Sequence, residues 1–204
     1  HPSRFTPLRH VFAEEPAFAL AERRPFAARG GLLFVGNVNN PTNLYGLRWF
    51  VHAVLPRLRR EEPELTLKVA GSWEGEAARA MGLEAQLRAN PAVQLLQYVG
   101  DLGELLQAAR VFVVPVRWAT GVLTKQTLAH VHGIPTVVTP AAAAQIAPAP
   151  LDGLGRASVW SHSLGAYERV RVAAVGGTAA AFAEAVLHVY RNATAWEELS
   201  RNAA

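Results

Sequence analysis

Short apolar runs alternate with amphipathic stretches along most of this chain. The first run ends in Gly36-Asn37, and such bounded runs are typical of buried strands. A later segment, 169–174, alternates apolar and polar residues and is predicted to be the last strand. The predicted strands are Leu32–Val35, Leu65–Ala70, Val93–Gln97, Val111–Val116, Thr136–Thr139 and Arg169–Ala174.

The segments between these strands have helical character. From Leu44 to Arg60, apolar residues recur at spacings of three and four, which predicts an amphipathic helix after the turn residues 39–42. Strand and helix alternate five to six times with short connections. The sequence therefore predicts an α/β fold, a parallel sheet with helices on both faces. The other predicted helices span 74–88, 101–109, 120–133, 141–146, 177–192 and 196–202.

Domain boundaries follow the change in composition near residue 30. Residues 1–30 contain four prolines and no clean period, which predicts a linker or a remnant of a preceding domain. Residues 31–204 form one predicted domain, interrupted by a surface excursion at 147–168 that is rich in Gly and Pro. Because the chain begins with His1, we expect it to be an excerpt of a longer protein.

Composition excludes several classes of function. The 204 residues include no cysteine, so thiolate metal sites and cysteine nucleophiles are excluded. The net charge of +4 comes almost entirely from scattered arginines, and we expect no nucleic-acid partner. No apolar run is long enough to span a membrane. The compartment stays open, with a cytoplasmic location favoured.

The stretch from Arg117 to Pro135 is the strongest candidate site. It links an apolar strand to the next strand through a glycine-containing loop and a helix that ends at Gly133. Ligands of open parallel sheets bind at the carboxyl ends of the strands. Thr120, Gly121 and Lys125 lie at the predicted helix start, where free amides favour an anion. The alternatives are ordinary helix capping for the loop and a solvated lysine for Lys125.

Six segments together resemble the C-terminal domain of GT-B-fold glycosyltransferases of family four. They occur in the order that such domains show and extend from about residue 31 to the end, apart from 147–168. The matching segments are Gly31–Asn43 with Trp49-Phe50 and Val54–Pro56, Leu67–Gly71, Val93–Asp101, Ala109–Pro115, Gly133–Thr139 and Ala181–Val186.

The resemblance implies a Rossmann-like domain that binds a nucleotide-sugar donor in a retaining, two-domain enzyme. It also implies that an N-terminal half, absent here, carries most of the acceptor site. The donor is then a substrate, and neither a cofactor nor a metal is expected. We therefore expect the isolated chain to be inactive.

The family pattern can be aligned back from Gly133 and Pro135. Its small residue and glycine then correspond to Thr120 and Gly121, followed by Val122, and its second lysine corresponds to Lys125. Its first lysine corresponds to Leu123. The glutamate that binds the ribose in the family corresponds to Leu128, and no Asp or Glu lies between Glu104 and Asp152. These two leucines cannot supply the expected polar contacts.

Other candidates lie at the ends of neighbouring strands. Gly36 and Asn37 either line the cleft that binds the donor or form a tight turn. Tyr98 and Val99 follow the third strand, where the family holds the nucleobase, or they serve packing. Arg117 either contacts a pyrophosphate bidentately or forms a surface salt bridge.

Two hypotheses follow for the function. One is the donor-binding domain of a working glycosyltransferase that has lost or replaced the usual ribose contact. The other is an inactive glycosyltransferase-like domain kept as a binding or scaffold module, because Leu123 and Leu128 stand where the site should be polar.

Overall fold

A computed structural model describes most of the domain and the residues just before it. The described residues are 23–73, 81–96, 98–118, 124–144, 156–161, 166–171 and 173–202. Among them, no helix is both long and apolar enough to cross a membrane.

The strands form one large sheet and one hairpin. Within the described residues, six strands form a parallel sheet in the order β3-β2-β1-β4-β5-β8, and β6 pairs with β7 antiparallel. The chain runs outward from β1 to β3 and returns to β4 on the other side of β1, so the order reverses between β1 and β4. The strands are β1 (Leu32–Val35), β2 (Leu67–Ala70), β3 (Val93–Leu95), β4 (Val111–Val114), β5 (Thr136–Val138), β6 (Arg156–Ser161), β7 (Ala166–Arg171) and β8 (Ala173–Val175).

Helices cover both faces of the large sheet, which confirms the predicted α/β, Rossmann-like fold. Strand side chains alternate between the faces: Phe34 belongs to the core of one face and Leu33 to that of the other. The first core packs α1 (Pro41–Trp49), α2 (Leu55–Glu61), α3 (Leu83–Ala89), α7 (Ala179–Arg191) and α8 (Ala193–Asn202) on the sheet. The second packs α4 (Gly103–Ala108), α5 (Thr124–Val131) and α6 (Pro140–Ala143).

The first predicted helix contains an irregularity. Asn40 caps α1, because its side-chain oxygen accepts a hydrogen bond from the Thr42 amide at 2.9 Å. Residues Phe50–Val54 then form a π-helical segment between α1 and α2, in which the Leu55 amide bonds to the Phe50 carbonyl. Pro56 follows at once and has no amide hydrogen, so a wider turn at this point removes the steric conflict with the preceding carbonyls.

The prediction of a single last strand at 169–174 was wrong, because these residues are divided between β7 and β8. The surface excursion contains β6, and residues 166–171 pair with it instead of joining the large sheet. The last strand of that sheet is Ala173–Val175, paired with β5. The alternation of Arg169-Val-Arg is compatible with an antiparallel ribbon, whereas a covered parallel strand needs uninterrupted apolar residues such as those that begin at Ala173.

The end of the predicted linker packs on the domain. Phe26 meets Trp196 edge-to-face, with ring centroids 5.9 Å apart. Arg29 is buried, donates to the Leu106 carbonyl at 2.8 Å and to the Gln107 side chain at 2.8 Å, and stacks on Trp196. Burial, followed by the charges of Arg23 and Arg24, lowers the pKa of Arg29 to about 10. Residues 1–22 are not described, so the boundary at residue 30 stays a prediction.

Helix α1 lies directly on the carboxyl end of β4. A Cβ added to Gly46 would lie 2.7 Å from the Pro115 carbonyl oxygen, closer than real Cβ atoms approach backbone. Only glycine allows this approach, and it fixes the helix beside the point where the strand order reverses.

Replacing this glycine should destabilise the domain. For Gly46→Ala we expect the free energy of unfolding to fall by about 1–3 kcal/mol, because the backbone clash outweighs the better helix propensity of alanine. The measurement is a urea denaturation. Gly30→Ala is the matched control, since its added Cβ meets nothing within 4 Å. Equal stabilities of the two variants would contradict the close approach.

Candidate functional site

The loop after β1 is built by its own polar groups. The Gly36 amide donates to the Ala70 carbonyl at 3.0 Å, and the Asn39 amide donates to the Asn37 side chain at 2.9 Å. Gly71 follows β2 with a φ of +146°, and a side chain there would collide with the Gly36 carbonyl. The structure therefore places Gly36 and Asn37 at the carboxyl edge of the sheet, where the order reverses, as the sequence predicted.

Lys125 lies on helix α5, on the opposite face of the sheet from α1. Its side chain reaches the loop after β1. Its amine donates to the Asn43 side-chain oxygen, and the side-chain nitrogen of Asn43 donates to the Asn37 backbone carbonyl at 2.8 Å. The Lys125 nitrogen lies 5.1 Å from the Phe34 ring centroid, and a Cβ on Gly36 would approach it to 3.1 Å. These contacts bring Gly36, Asn37 and Lys125 into one cluster, which we call the lysine cradle, together with Asn43.

Burial controls the electrostatics of the lysine cradle. Removal from water lowers the pKa of the Lys125 amine to about 8, so the amine is mostly charged near pH 7. Within the described residues, no carboxylate lies within ion-pair distance of it. Lys125 is half-buried and hydrogen-bonded to Asn43, and its role as an anion ligand stays a prediction. It is a desolvated cation whose described partner is a neutral amide, an arrangement that favours an anionic ligand.

The loop after β4 is described only in part. Arg117 lies over the Trp49 ring on α1, with 5.5 Å between the guanidinium carbon and the ring centroid. Neither a salt bridge nor contact with Lys125 is seen for Arg117 among the described residues. Thr120, Gly121 and Val122 lie outside the described residues, so their predicted role as amide donors stays a prediction.

Tyr98 and Val99 follow β3, which is separated from β1 by β2. Strand spacing places that edge about 10 Å from β1. The Tyr98 side chain is 83% exposed, which argues against the packing alternative for this residue, and Val99 is half-buried. Their predicted contact with a nucleobase stays a prediction.

The helix α5 presents little chemistry besides Lys125. Leu128 is half-buried and packs against the second core, so this position serves packing. Leu123 lies outside the described residues. Burial lowers the pKa of His130 to about 4, and its ring nitrogen lies 3.3 Å from the Thr136 hydroxyl. The described part of the chain contains no group of three or more side chains that could hold a metal ion.

Sequence reasoning did not single out Asn43 or Gly71. Asn43 is 9% exposed on a helix whose neighbouring positions Leu44 and Leu47 are apolar. A buried amide in such a helix was the available signal, since buried polar groups need partners. Gly71 gave no signal beyond the end of a strand.

Comparison with known proteins agrees with this architecture. A family model described as "Glycosyl transferases group 1" matches residues 29–192. An uncharacterized 44.6 kDa protein in the cps region of Klebsiella pneumoniae is 31% identical over 98 residues, which are 46% of this chain and 25% of that protein. The chain thus spans about a quarter of the length of this curated relative.

Solved structures share the fold at low sequence identity. HepE from Anabaena, in complex with UDP and glucose, is similar with a TM-score of 0.61 and 15% identity, over 87% of this chain and 43% of that one. The C-terminal domain of LpcC from Francisella tularensis, a glycosyl transferase group 1 family protein, gives a TM-score of 0.59 and 12% identity, over 87% and 84% of the chains. The resemblance found in the sequence is confirmed.

Replacing the buried lysine should stabilise the protein. For Lys125→Met, relief of the desolvated charge should exceed the lost hydrogen bond to Asn43, raising the free energy of unfolding by about 1–2 kcal/mol near pH 7. Because the pKa is lower in the folded chain than in the unfolded chain, the unfolded state binds more protons between about pH 8 and pH 10.5. The stability of the parent should therefore rise with pH through that window relative to Lys125→Met.

Denaturation at pH 7 and pH 10 measures both effects. Lys68→Met removes the other lysine of the chain and is the control. A parent–variant difference that does not change with pH would contradict the burial of a charged amine.

Proposed function

Since the chain belongs to the group 1 family of glycosyl transferases, we propose that it binds the nucleotide-sugar donor of an enzyme that transfers a sugar to an acceptor with retention of configuration. The observation that carries this proposal is the desolvated Lys125 amine at the point where the strand order reverses. Open α/β sheets bind ligands at that point.

The chemistry of transfer fits such a cation. When the sugar leaves its donor, negative charge develops on the nucleoside diphosphate, and a fixed positive group stabilises that charge most in a site that excludes water. Lys125 is already desolvated and oriented by Asn43, so little reorganisation is needed on binding. In this proposal the loop amides at Thr120, Gly121 and Val122 supply further donors, and no metal takes part.

Gly36, Tyr98 and Val99 have supporting roles in the proposed donor site. Gly36 leaves room for the Asn43 and Lys125 side chains, because a Cβ there would lie 3.0 Å from the Asn43 side-chain nitrogen and 3.1 Å from the Lys125 amine. Tyr98 and Val99 offer backbone groups to the base. The acceptor belongs to a preceding domain, and the chain alone is expected to bind donor without turnover.

A second function is favoured by one observation. Leu128 packs against the second core where the family carries the ribose-binding glutamate, so a nucleotide loses that contact here. The second candidate is therefore an inactive glycosyltransferase-like module that binds without transferring sugar.

Nucleoside diphosphate binding tests the first candidate. HepE was solved with UDP and glucose, so UDP is the first ligand to titrate, followed by ADP and GDP, with calorimetry as the measurement. We expect binding that weakens at least about tenfold in Lys125→Met, the loss of one charge-assisted contact, and that weakens as pH rises through about 8. Lys68→Met should leave the affinity unchanged. No binding at millimolar ligand would overturn the lysine cradle as a diphosphate site.

Restoring the family's polar residues separates the two candidates. The double change Leu123→Lys with Leu128→Glu should improve UDP affinity by about tenfold or more per regained contact if the domain is a decayed donor site. Leu105→Glu, at another half-buried leucine of the same core, controls for the stability lost by placing a carboxylate there. If the folded double variant binds UDP no more tightly than the parent, the interpretation of the domain as a donor site that has lost its polar contacts would be wrong.

A further inference from the structure

An open groove lies on the side of α1 that faces away from the lysine cradle. Its volume is about 410 Å³, within the range of small-molecule sites. Helix α1, the π-helical segment and the loop after β4 supply its walls. The lining residues are Tyr45, Arg48, Trp49, His52, Ala53, Arg117 and Trp118, and we call this surface the aromatic groove.

Large aromatic rings are exposed in the aromatic groove. Tyr45 is 44% exposed and Trp118 is 46% exposed, and they are two of the three exposed large apolar side chains in the described part of the chain. Their ring centroids lie 5.5 Å apart with an interplanar angle of 47°. Because the rings touch each other, a planar base cannot insert between them, whereas the C–H face of a sugar ring can lie across both.

The charge of the aromatic groove has one sign. Two arginines and a histidine line it, and no carboxylate does. Within the described residues, neither Arg48 nor Arg117 forms a salt bridge, and the Arg117 guanidinium carbon lies 5.5 Å from the Trp49 ring centroid. Stacking on an indole leaves the N–H groups of a guanidinium at its rim available to a carboxylate or phosphate.

Helix geometry separates the aromatic groove from the lysine cradle. At about 100° per residue, Asn43 lies roughly 140–200° around α1 from Tyr45 and Arg48. Arg117, which the sequence offers as a pyrophosphate ligand, lines the groove, whereas Gly36, Asn37 and Lys125 of the lysine cradle do not.

We propose that the aromatic groove binds an acidic saccharide, with the sugar rings on Tyr45 and Trp118 and the anionic groups on Arg48 and Arg117. Aromatic faces and bidentate cations side by side match a chain of sugars that carries carboxylates. A neutral glycan would leave the arginines without partners, and a simple anion would leave the rings unused. Binding at this surface does not depend on a nucleotide at Lys125.

Calorimetric titration of the whole chain with trigalacturonic acid tests the proposal. The neutral trisaccharide in which its carboxylates are reduced to alcohols is the matched ligand. We expect the acidic saccharide to bind at least about tenfold more tightly, and Trp118→Ala and Arg48→Ala each to weaken it by at least about tenfold. Arg60→Ala, which removes an exposed charge from α2 outside the groove, should leave the affinity unchanged.

Four results would overturn the proposal. They are equal binding of the acidic and neutral trisaccharides, equal loss in Arg60→Ala and Arg48→Ala, equally tight binding of trimeric glutamate, and displacement of the saccharide by UDP. Trimeric glutamate tests whether the surface selects charge alone, and UDP tests whether it is a nucleotide site. Lys125→Met should bind the saccharide as the parent does, so failure of the donor site and failure of this site are distinguishable.

Discussion

The contact between Gly46 and the Pro115 carbonyl positions helix α1, which contributes residues to both the lysine cradle and the aromatic groove. It seats α1 on the carboxyl end of β4, at the reversal of strand order. One side of the helix then presents Asn43 to Lys125, and the other presents Tyr45 and Trp49 to the loop after β4. A side chain at Gly46 would move the helix off the strand and alter both surfaces at once.

The buried amine of Lys125 is a feature that stability alone does not explain. A desolvated cation whose described partner is an amide oxygen destabilises the fold relative to an apolar side chain. Residues of this kind are retained where binding needs a fixed charge, because proteins trade stability for function at their sites. A bound diphosphate would reverse the balance by supplying the missing negative charge.

Leu128 and the aromatic groove support different interpretations of the function. Leu128 packs against the second core, at the position where the sequence comparison aligned the family's glutamate. The aromatic groove exposes the Tyr45 and Trp118 rings beside two arginines that form no salt bridge within the described residues. If both sites are occupied, the domain would hold a donor on one side of α1 and a saccharide on the other.

The sequence alone indicated the α/β class, the first five strands of the large sheet, the resemblance to a glycosyltransferase family and Lys125 near a helix start, because apolar periodicity and turn residues are local signals. It also placed Gly36 and Asn37 at the sheet edge. Only the tertiary structure decided that Lys125 is half-buried beside Asn43, that Arg117 lies over Trp49, and that the last strand of the large sheet begins at Ala173. These outcomes depend on which face of each element meets a neighbour, and partners far apart in sequence, such as Asn43 and Lys125, leave no local pattern.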